Sequence, residues 1–136
     1  MKKYFLTAAL ITLAFAAKAQ HQLKIEIAGI KKVRGKVNLC LVVEKSEFLS
    51  NCELYAEVPV DGKTLLYTKD NLKPGTYAVT MYHDSNGNGE LDTNFLRIPK
   101  ERYGFSNNAR GTFGPPDYEE CLFEVKGDTT ISIRLK

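Results

Sequence analysis

The sequence predicts an all-β protein, an antiparallel β-sandwich of about seven strands of Greek-key, prealbumin-like or immunoglobulin-like type, with one long loop. Short runs of apolar, β-branched and aromatic residues recur along the chain, several with strict apolar and polar alternation. Clusters of Gly, Pro, Asn and Asp separate these runs and indicate turns. No segment after residue 20 has the 3.6-residue periodicity of a convincing amphipathic helix.

The first 19 residues have the composition of a cleavable signal peptide. Lys2 and Lys3 supply positive charge, residues 4–17 form an apolar run, and Ala17-Lys18-Ala19 matches an A-x-A cleavage site. The run is shorter than the roughly 20 residues that span a bilayer. No cysteine lies near the cleavage site to accept a lipid anchor. We therefore expect a periplasmic or secreted protein without a membrane span, in which residues 20–136 form one β-sandwich domain.

The charge of the chain argues against a nucleic-acid partner. The sequence has 19 Lys and Arg and 16 Asp and Glu. Three of the basic residues, Lys2, Lys3 and Lys18, lie in the predicted signal peptide. The remaining charges balance, whereas nucleic-acid binding requires clustered basic residues that displace counterions from phosphates. We exclude nucleic acid as a partner.

Seven segments have the pattern of strands: residues 23–27, 36–43, 54–60, 63–68, 76–82, 118–125 and 129–135. The first alternates strictly, and the second has apolar residues on both faces, which predicts a strand covered on both sides. The turn signal Asp61-Gly62 predicts a β-hairpin between the third and fourth strands. The fifth strand is rich in aromatic and β-branched residues. Lys126-Gly127-Asp128 predicts a closing hairpin between the last two strands.

Three cysteines, Cys40, Cys52 and Cys121, permit one disulfide in an exported protein. Cys40 lies within an apolar strand pattern, where a free cysteine typically behaves as a small buried hydrophobe. Cys52 and Cys121 flank loops, so we predict a Cys52–Cys121 bond. Three unpaired thiols are the alternative, because the sequence does not fix the Cα separation that bonding requires.

The segment that begins at Asp84 matches the first nine positions of an EF-hand-type calcium loop. Oxygen-bearing side chains recur at alternate positions, and Gly89 at position six permits the sharp turn. Glu90 would contribute its backbone carbonyl oxygen, and Asp92 would bind the ion directly or through a water molecule. The predicted metal ligands are Asp84, Asn86, Asn88, Glu90 and Asp92, and calcium is the expected cofactor.

This loop departs from the EF-hand pattern at position twelve, where Phe95 replaces the bidentate Glu. Flanking helices are also missing, so Asn94, Glu101, a distant carboxylate or water would have to complete the site. The alternative is a metal-free turn rich in Asn and Gly, held by hydrogen bonds from the backbone to side chains. The residues leave both interpretations open.

The region 84–117 has little strand pattern, and a loop this long is typically functional or disordered. Its second half combines aromatic and amide side chains between glycines and prolines, which is typical of a recognition surface. The predicted ligand-binding residues are Tyr103, Phe105, Asn107 and Asn108. In the alternative, Tyr103, Phe105 and Phe113 fold inward and cap one end of the sandwich.

Four motifs in this region resemble those of a known family: HDSNGNG from His83, LDTN from Leu91, PKERYGFSNN from Pro99 and FGPP from Phe113. The chain is similar to a family of small exported bacterial proteins described only as a domain of unknown function. The resemblance covers nearly all of residues 20–136 and implies no particular activity. A looser similarity, in LKPGTYAV from Leu72, is to the strand entry of prealbumin-like and carboxypeptidase-regulatory-like sandwich domains, and it implies fold alone.

These features favour a non-enzymatic binding or accessory module whose long loop recognises a glycan, a peptide or an envelope protein. A structural or assembly protein of the cell envelope, which pairs through an exposed sheet edge, is the alternative. A small hydrolase is the least favoured interpretation, because the sequence has no recognised nucleophile or metalloprotease motif. In such an enzyme, Glu101 would act as a carboxylate pair with either Asp92 or Asp117.

Overall fold

The computed structural model describes residues 20–136, and the predicted signal peptide, residues 1–19, lies outside the described residues. Eight strands form two largely antiparallel sheets, which confirms the predicted β-sandwich. The strands are β1 His21–Ala28, β2 Lys36–Val42, β3 Leu54–Pro59, β4 Leu65–Leu72, β5 Gly75–Asp84, β6 Tyr103–Phe105, β7 Phe123–Val125 and β8 Thr129–Arg134.

Three short 3₁₀ helices interrupt the connections, at Lys45–Glu47, Ser106–Asn108 and Tyr118–Cys121. No helix within residues 20–136 has the length and apolar character needed to cross a membrane.

The smaller sheet has the strand order β4-β1-β8. Strand β1 pairs antiparallel with β4, where Ile25 lies opposite Tyr67, and parallel with β8, where Ile25 lies opposite Ile131. The strict alternation of β1 buries Leu23 and Ile27 on the same face as Ile25. The sheet therefore has one face in the core and one face toward solvent, as the alternation predicts.

The larger sheet has the order β3-β2-β5-β6, and β7 also pairs with β5. Strand β5 is ten residues long and serves two partners along one edge. Its first part, from Gly75 to Tyr77, pairs with β7, and its part from Thr80 to Tyr82 pairs with β6. The chain between β5 and β6 is thereby held at the end of β5, which positions the predicted calcium-type loop.

The main core lies between the two sheets and contains buried residues from both, including Ile25, Leu39, Val79 and Ile133. A second, smaller cluster covers the outer face of the larger sheet, and this cluster is the reason β2 and β5 are buried on both faces. Its buried members are Val42, Ala78, Phe105 and Cys121. The apolar pattern on both faces of residues 36–43 correctly predicted this second layer.

Both predicted hairpins are wrong. Strand β3 pairs with β2 in the larger sheet, whereas β4 pairs with β1 in the smaller one, so the Asp61-Gly62 turn carries the chain from one sheet to the other. Buried Val60, whose N–H donates to the Gly35 carbonyl oxygen, fixes this crossing. Strands β3 and β4 each have one apolar face. These faces pack against the same core from opposite sheets.

The closing hairpin fails because residues 118–121 form a 3₁₀ helix, which a reciprocal capping box between Asp117 and Glu120 begins. Only Phe123–Val125 remains as a strand, and it pairs with β5. Strand β8 instead runs parallel to β1. The strand β6 was not predicted, because its three residues are too few to show a period.

The predicted Cys52–Cys121 disulfide is also wrong, since the bond joins Cys40 to Cys52 across a Cα separation of 5.9 Å. The side chain of Cys40 points to the outer face of β2, where the connection before β3 returns beside it. Cys121 is buried in the outer cluster as a free thiol. The expectation that an apolar strand environment marks the unpaired cysteine therefore fails.

Candidate functional site

The site begins at Asp84, the last residue of β5, where the chain leaves the sheet. Its fully buried carboxylate accepts three backbone hydrogen bonds from the turn that follows. One oxygen, Oδ1, accepts from Gly87 N at 2.8 Å and from Asn88 N at 3.1 Å, while Oδ2 accepts from Gly89 N at 2.8 Å. Both glycines have positive φ, 75° and 79°, and this is why the turn can wrap around one side chain.

Two amides and a second carboxylate close the outer side of this turn. Asn86 Nδ2 donates to Asp92 Oδ2 at 2.6 Å, and Asn88 Nδ2 donates to Asp92 Oδ1 at 2.8 Å. The amide oxygens accept from the backbone, that of Asn88 from Glu90 N at 3.0 Å. Four of the five predicted metal ligands therefore lie in one hydrogen-bonded network. The side chain of Glu90, the fifth, points to solvent.

Glu101 closes the base of the loop. Its Oε1 accepts from Ser85 N at 3.0 Å and its Oε2 from Asp92 N at 3.2 Å, so one carboxylate joins the two ends of the turn. Asn94 has a separate role, because its Oδ1 accepts from the backbone N–H groups of Leu96 and Ile98. Both residues considered as a twelfth ligand are thus engaged with the backbone.

Carboxylate and amide oxygens are the ligand type that a hard cation such as calcium prefers, but here the Nδ2 groups of Asn86 and Asn88, and not their oxygens, face Asp92. Residues 20–136 contain no cluster of three or more His, Cys, Asp or Glu side chains suited to a metal. The set instead combines the carboxylates of Asp84 and Asp92 with the amides of Asn86 and Asn88. Rotating each carboxamide by 180° would exchange Oδ1 and Nδ2 and direct the oxygen toward the Asp92 carboxylate. Oxygens facing one another in this way repel unless a bound cation lies between them.

His83, next to Asp84, faces the other side of the sheet. It is buried, and its Nε2 lies 2.8 Å from the Arg34 carbonyl oxygen. The imidazole therefore packs against the turn that precedes β2, at Arg34, and does not join the oxygen network.

An apolar pocket of about 280 Å³ lies beside the loop on the outer face of the larger sheet. Strands β5 and β6 form its floor, and its walls come from three segments: the connection that contains Leu49, residues 91–99 and residues 114–115. Its lining includes Leu49, Thr80, Tyr82, Leu91, Tyr103, Phe105 and Pro115. We call this the apolar pocket. Tyr82 joins it to the loop, since its hydroxyl donates to the Gly89 carbonyl oxygen at 2.9 Å.

Large apolar side chains near the pocket residues in sequence are exposed. Phe95 is 92% exposed and Phe113 is fully exposed. Leu96 and Ile98, which flank the pocket residue Arg97, are each more than half exposed. Exposed apolar side chains along the segments that line a pocket favour an interaction site.

The four predicted ligand-binding residues separate into two pairs. Tyr103 and Phe105 line the apolar pocket while packing in the outer cluster. Asn107 and Asn108 lie elsewhere. Asn107 Nδ2 donates to the carbonyl oxygens of Glu120 and Leu122, and Asn108 Oδ1 accepts from Arg134 N at 2.8 Å. The two asparagines fasten the outer layer to the sheet edge.

Sequence patterns gave no signal for two parts of the pocket. Leu49 follows the 3₁₀ helix Lys45–Glu47, and Pro115 lies more than 60 residues further along the chain. Their approach depends on how the outer layer folds over β5, which no local motif encodes.

A family model described as "Uncharacterized protein conserved in bacteria (DUF2141)" matches residues 25–133. The match begins within β1, ends within β8 and includes the whole candidate site. It confirms the resemblance indicated by the loop motifs. No curated protein and no solved structure matches the chain.

Proposed function

We propose that this chain, which belongs to the bacterial family DUF2141, is an exported, non-enzymatic module that binds a peptide segment of a partner protein. The apolar pocket beside the loop carries this proposal. It is concave, its lining is predominantly apolar, and exposed Leu96, Ile98 and Phe113 are sequence neighbours of residues that line it. Ligand sites share such a lining, in which a few polar groups fix orientation.

The size and lining of the pocket favour a peptide over a glycan. A volume of about 280 Å³ lies just below the range of drug-sized ligand sites and is suited to one aliphatic or aromatic side chain. The side chains in its lining that carry hydrogen-bonding groups are those of Thr80, Tyr82, Arg97 and Tyr103, fewer than the many hydroxyls of a sugar require. The exposed apolar residues outside the pocket would cover the flanking residues of an extended peptide.

Calcium is proposed to order the loop that forms one wall. Asp84, Asn86, Asn88 and Asp92 would hold the ion, whose charge would offset that of the two carboxylates. Leu91 lies within this loop and lines the pocket, and Gly89 accepts the Tyr82 hydrogen bond. An ordered loop would therefore keep the wall in its binding position. With two carboxylates and two amides, we expect an affinity on the order of 10⁻⁴ to 10⁻³ M, suited to an extracellular compartment.

Two further observations support the exported, non-enzymatic character. The Cys40–Cys52 disulfide is typical of an oxidising compartment. The Glu101 carboxylate, considered for hydrolysis, accepts two backbone hydrogen bonds and serves to close the loop.

The calcium proposal is tested by thermal unfolding of the purified protein in chelator and in millimolar calcium, beside an Asp84→Ala, Asp92→Ala variant. A saturable rise of the midpoint with calcium, lost in this variant, is expected. Glu90→Gln is the matched control, because its side chain lies in the same loop but points to solvent. No response to calcium would overturn the metal assignment.

The binding proposal is tested by selecting a displayed library of linear peptides on the protein. We expect the enriched sequences to share one aromatic or aliphatic position and to lose binding to Leu91→Asp and Tyr103→Ala variants. Leu66→Ala is the control, because Leu66 is an exposed apolar residue on β4 of the opposite sheet. Enrichment that survives both pocket variants would contradict the proposal.

A further inference from the structure

Asn38 has an unusual environment in the middle of β2. Its side chain is 1% exposed, and neither Oδ1 nor Nδ2 has a hydrogen-bond partner among residues 20–136. The great majority of buried side-chain polar atoms have at least one partner, so a buried amide with neither group paired calls for an explanation. A functional site is one place where a protein retains such a group.

The amide lies at a second pocket, of about 330 Å³, on the outer face of the larger sheet. The Cys40–Cys52 disulfide, Tyr55 and Tyr82 are among its other lining residues. We call this the amide pocket. It adjoins the apolar pocket, because Thr80, Met81 and Tyr82 line both. Thr80 and Tyr82 are two residues apart on one strand face, a separation of about 7 Å.

The polar side chains of Glu57, Tyr82 and Tyr55, close to Asn38 on the neighbouring strands, have other partners. Glu57, opposite Asn38 on β3, pairs with Lys36 Nζ at 2.7 Å. Tyr82, opposite Asn38 on β5, donates to the Gly89 carbonyl oxygen. Tyr55 reaches Glu57, at 3.4 Å. The neighbours that could satisfy the amide therefore leave both of its groups available to a ligand.

We propose that Asn38 is a polar subsite that binds an amide group of the same peptide whose side chain fills the apolar pocket. A peptide bond or the carboxamide of Asn or Gln has one carbonyl oxygen to accept from Nδ2 and an N–H to donate to Oδ1. The separation of about 7 Å across Thr80 and Tyr82 is close to the two-residue repeat of an extended chain. Tyr55, which lines the same pocket, is 52% exposed, so we expect its ring to move aside when a ligand reaches Asn38.

This inference rests on the proposed function. It specifies the ligand as an extended peptide that binds at two subsites, the apolar pocket and Asn38. The apolar pocket selects a side chain, while Asn38 selects the amide of a neighbouring group. Tyr82 lies between the two subsites and fixes their separation.

The test uses two small probes and NMR of the ¹⁵N-labelled protein. Toluene presents a ring alone, and N-acetyl-phenylalaninamide presents a ring with two amides. The Asn38 side-chain NH₂ signals, assigned by their loss in an Asn38→Leu variant, should shift with the amide probe and not with toluene. Asn38→Leu should weaken binding of the amide probe about tenfold, the effect of one lost buried hydrogen-bonding group. Its toluene affinity should stay within about twofold.

The melting temperature separates this role from a structural one. Leucine has the branched shape of asparagine and needs no hydrogen bonds, although it is larger. With its extra volume taken up by the adjoining amide pocket, Asn38→Leu should melt at the same or a higher temperature. A group retained for binding at the expense of stability behaves in this way. Asn38→Val, which is smaller, provides the same comparison if leucine does not fit.

The outcomes separate this inference from the proposed function. If toluene binds but the amide probe leaves the Asn38 signals unchanged, or if it binds Asn38→Leu as tightly as the native protein, the subsite is overturned and the apolar pocket stands. If neither probe binds, both are overturned. If methyl β-glucopyranoside shifts the Asn38 signals and the amide probe does not, the subsite reads sugar hydroxyls and the peptide assignment is wrong.

Discussion

The Tyr82 hydroxyl donates a hydrogen bond of 2.9 Å to the carbonyl oxygen of Gly89, which joins the wall between the two pockets to the sixth position of the calcium-type loop. Tyr82 belongs to β5 and has a fixed backbone, whereas Gly89 lies in an exposed turn. A change in the loop therefore reaches the amide pocket through Tyr82, and the apolar pocket through Tyr82 and Leu91. This relationship explains how a weak metal site would influence peptide binding without a metal-bound ligand.

Replacing Tyr82 with Phe should release this connection while preserving the ring. We expect the free energy of unfolding in urea to fall by about 1 kcal/mol, the net value of one hydrogen bond. Amide hydrogen exchange at Gly87 and Gly89 should accelerate, because the turn loses its attachment to the sheet. Tyr55→Phe is the matched control, since its hydroxyl makes only a 3.4 Å contact with Glu57. Equal effects of the two variants would show that the Tyr82 bond does not hold the loop.

Asp84→Asn should destabilise the turn even in the presence of chelator. The buried carboxylate accepts from three backbone N–H groups, and the amide can use only one oxygen for the same task. We expect a loss of about 1–3 kcal/mol in the free energy of unfolding, the range for a buried hydrogen-bonding group left unsatisfied. Glu90→Gln removes a charge from the same loop without a hydrogen bond and should change stability little. A neutral Asp84→Asn variant would contradict the role of the carboxylate as the organiser of the turn.

The fold was predictable where the pattern was local. In strands β1, β2 and β5, the sequence of apolar and polar residues matches which side chains are buried. The prediction that β2 is covered on both faces is confirmed. Which strands pair with each other was harder to predict from the sequence. The turn signal Asp61-Gly62 is the same whether the chain reverses within one sheet or crosses to the other. The three residues of β6 become a strand only because β5 offers them a partner.

The candidate site also has one part that was predictable from local sequence and one part that was not. The oxygen-bearing residues of the loop occur at fixed spacing within nine positions, so their convergence was predictable from sequence. The apolar pocket was not, since Leu49, Leu91 and Pro115 meet only after the outer layer has folded. Asn38 looked like any polar residue on the outer face of a strand until its missing partners were visible.

The Cys40–Cys52 bond should stabilise the protein substantially. It closes a loop with a sequence separation of 12, and the chain-entropy estimate for such a loop is about 3 kcal/mol. A Cys40→Ala, Cys52→Ala variant should therefore unfold at lower urea concentration than the native protein. Cys121→Ala is the control, because it removes a thiol without removing the cross-link. Peptide mapping without reduction should recover residues 40 and 52 together, and recovery of Cys52 with Cys121 would contradict the structure.

Cys121 should be nearly inert toward thiol reagents in the folded protein. Burial, with a smaller contribution from the charge of Glu120, raises the pKa of its thiol from 9.0 to about 11. At pH 8 only about one molecule in a thousand then carries the reactive thiolate. Ellman's reagent should detect no rapid thiol in the native protein and one after denaturation in guanidinium, with the disulfide intact.

The same pKa shift has a consequence for stability at alkaline pH. The folded state holds the Cys121 proton more tightly than the unfolded state, so its contribution to stability is complete below pH 9 and is lost as the pH rises through 11. Burial also raises the pKa of Tyr67 and Tyr77, which adds to the loss at alkaline pH. The Cys121→Ala variant isolates the cysteine contribution: between pH 9 and 11 its free energy of unfolding should fall less steeply than that of the native protein. Parallel curves for the two proteins would show that the thiol is not desolvated in the folded state.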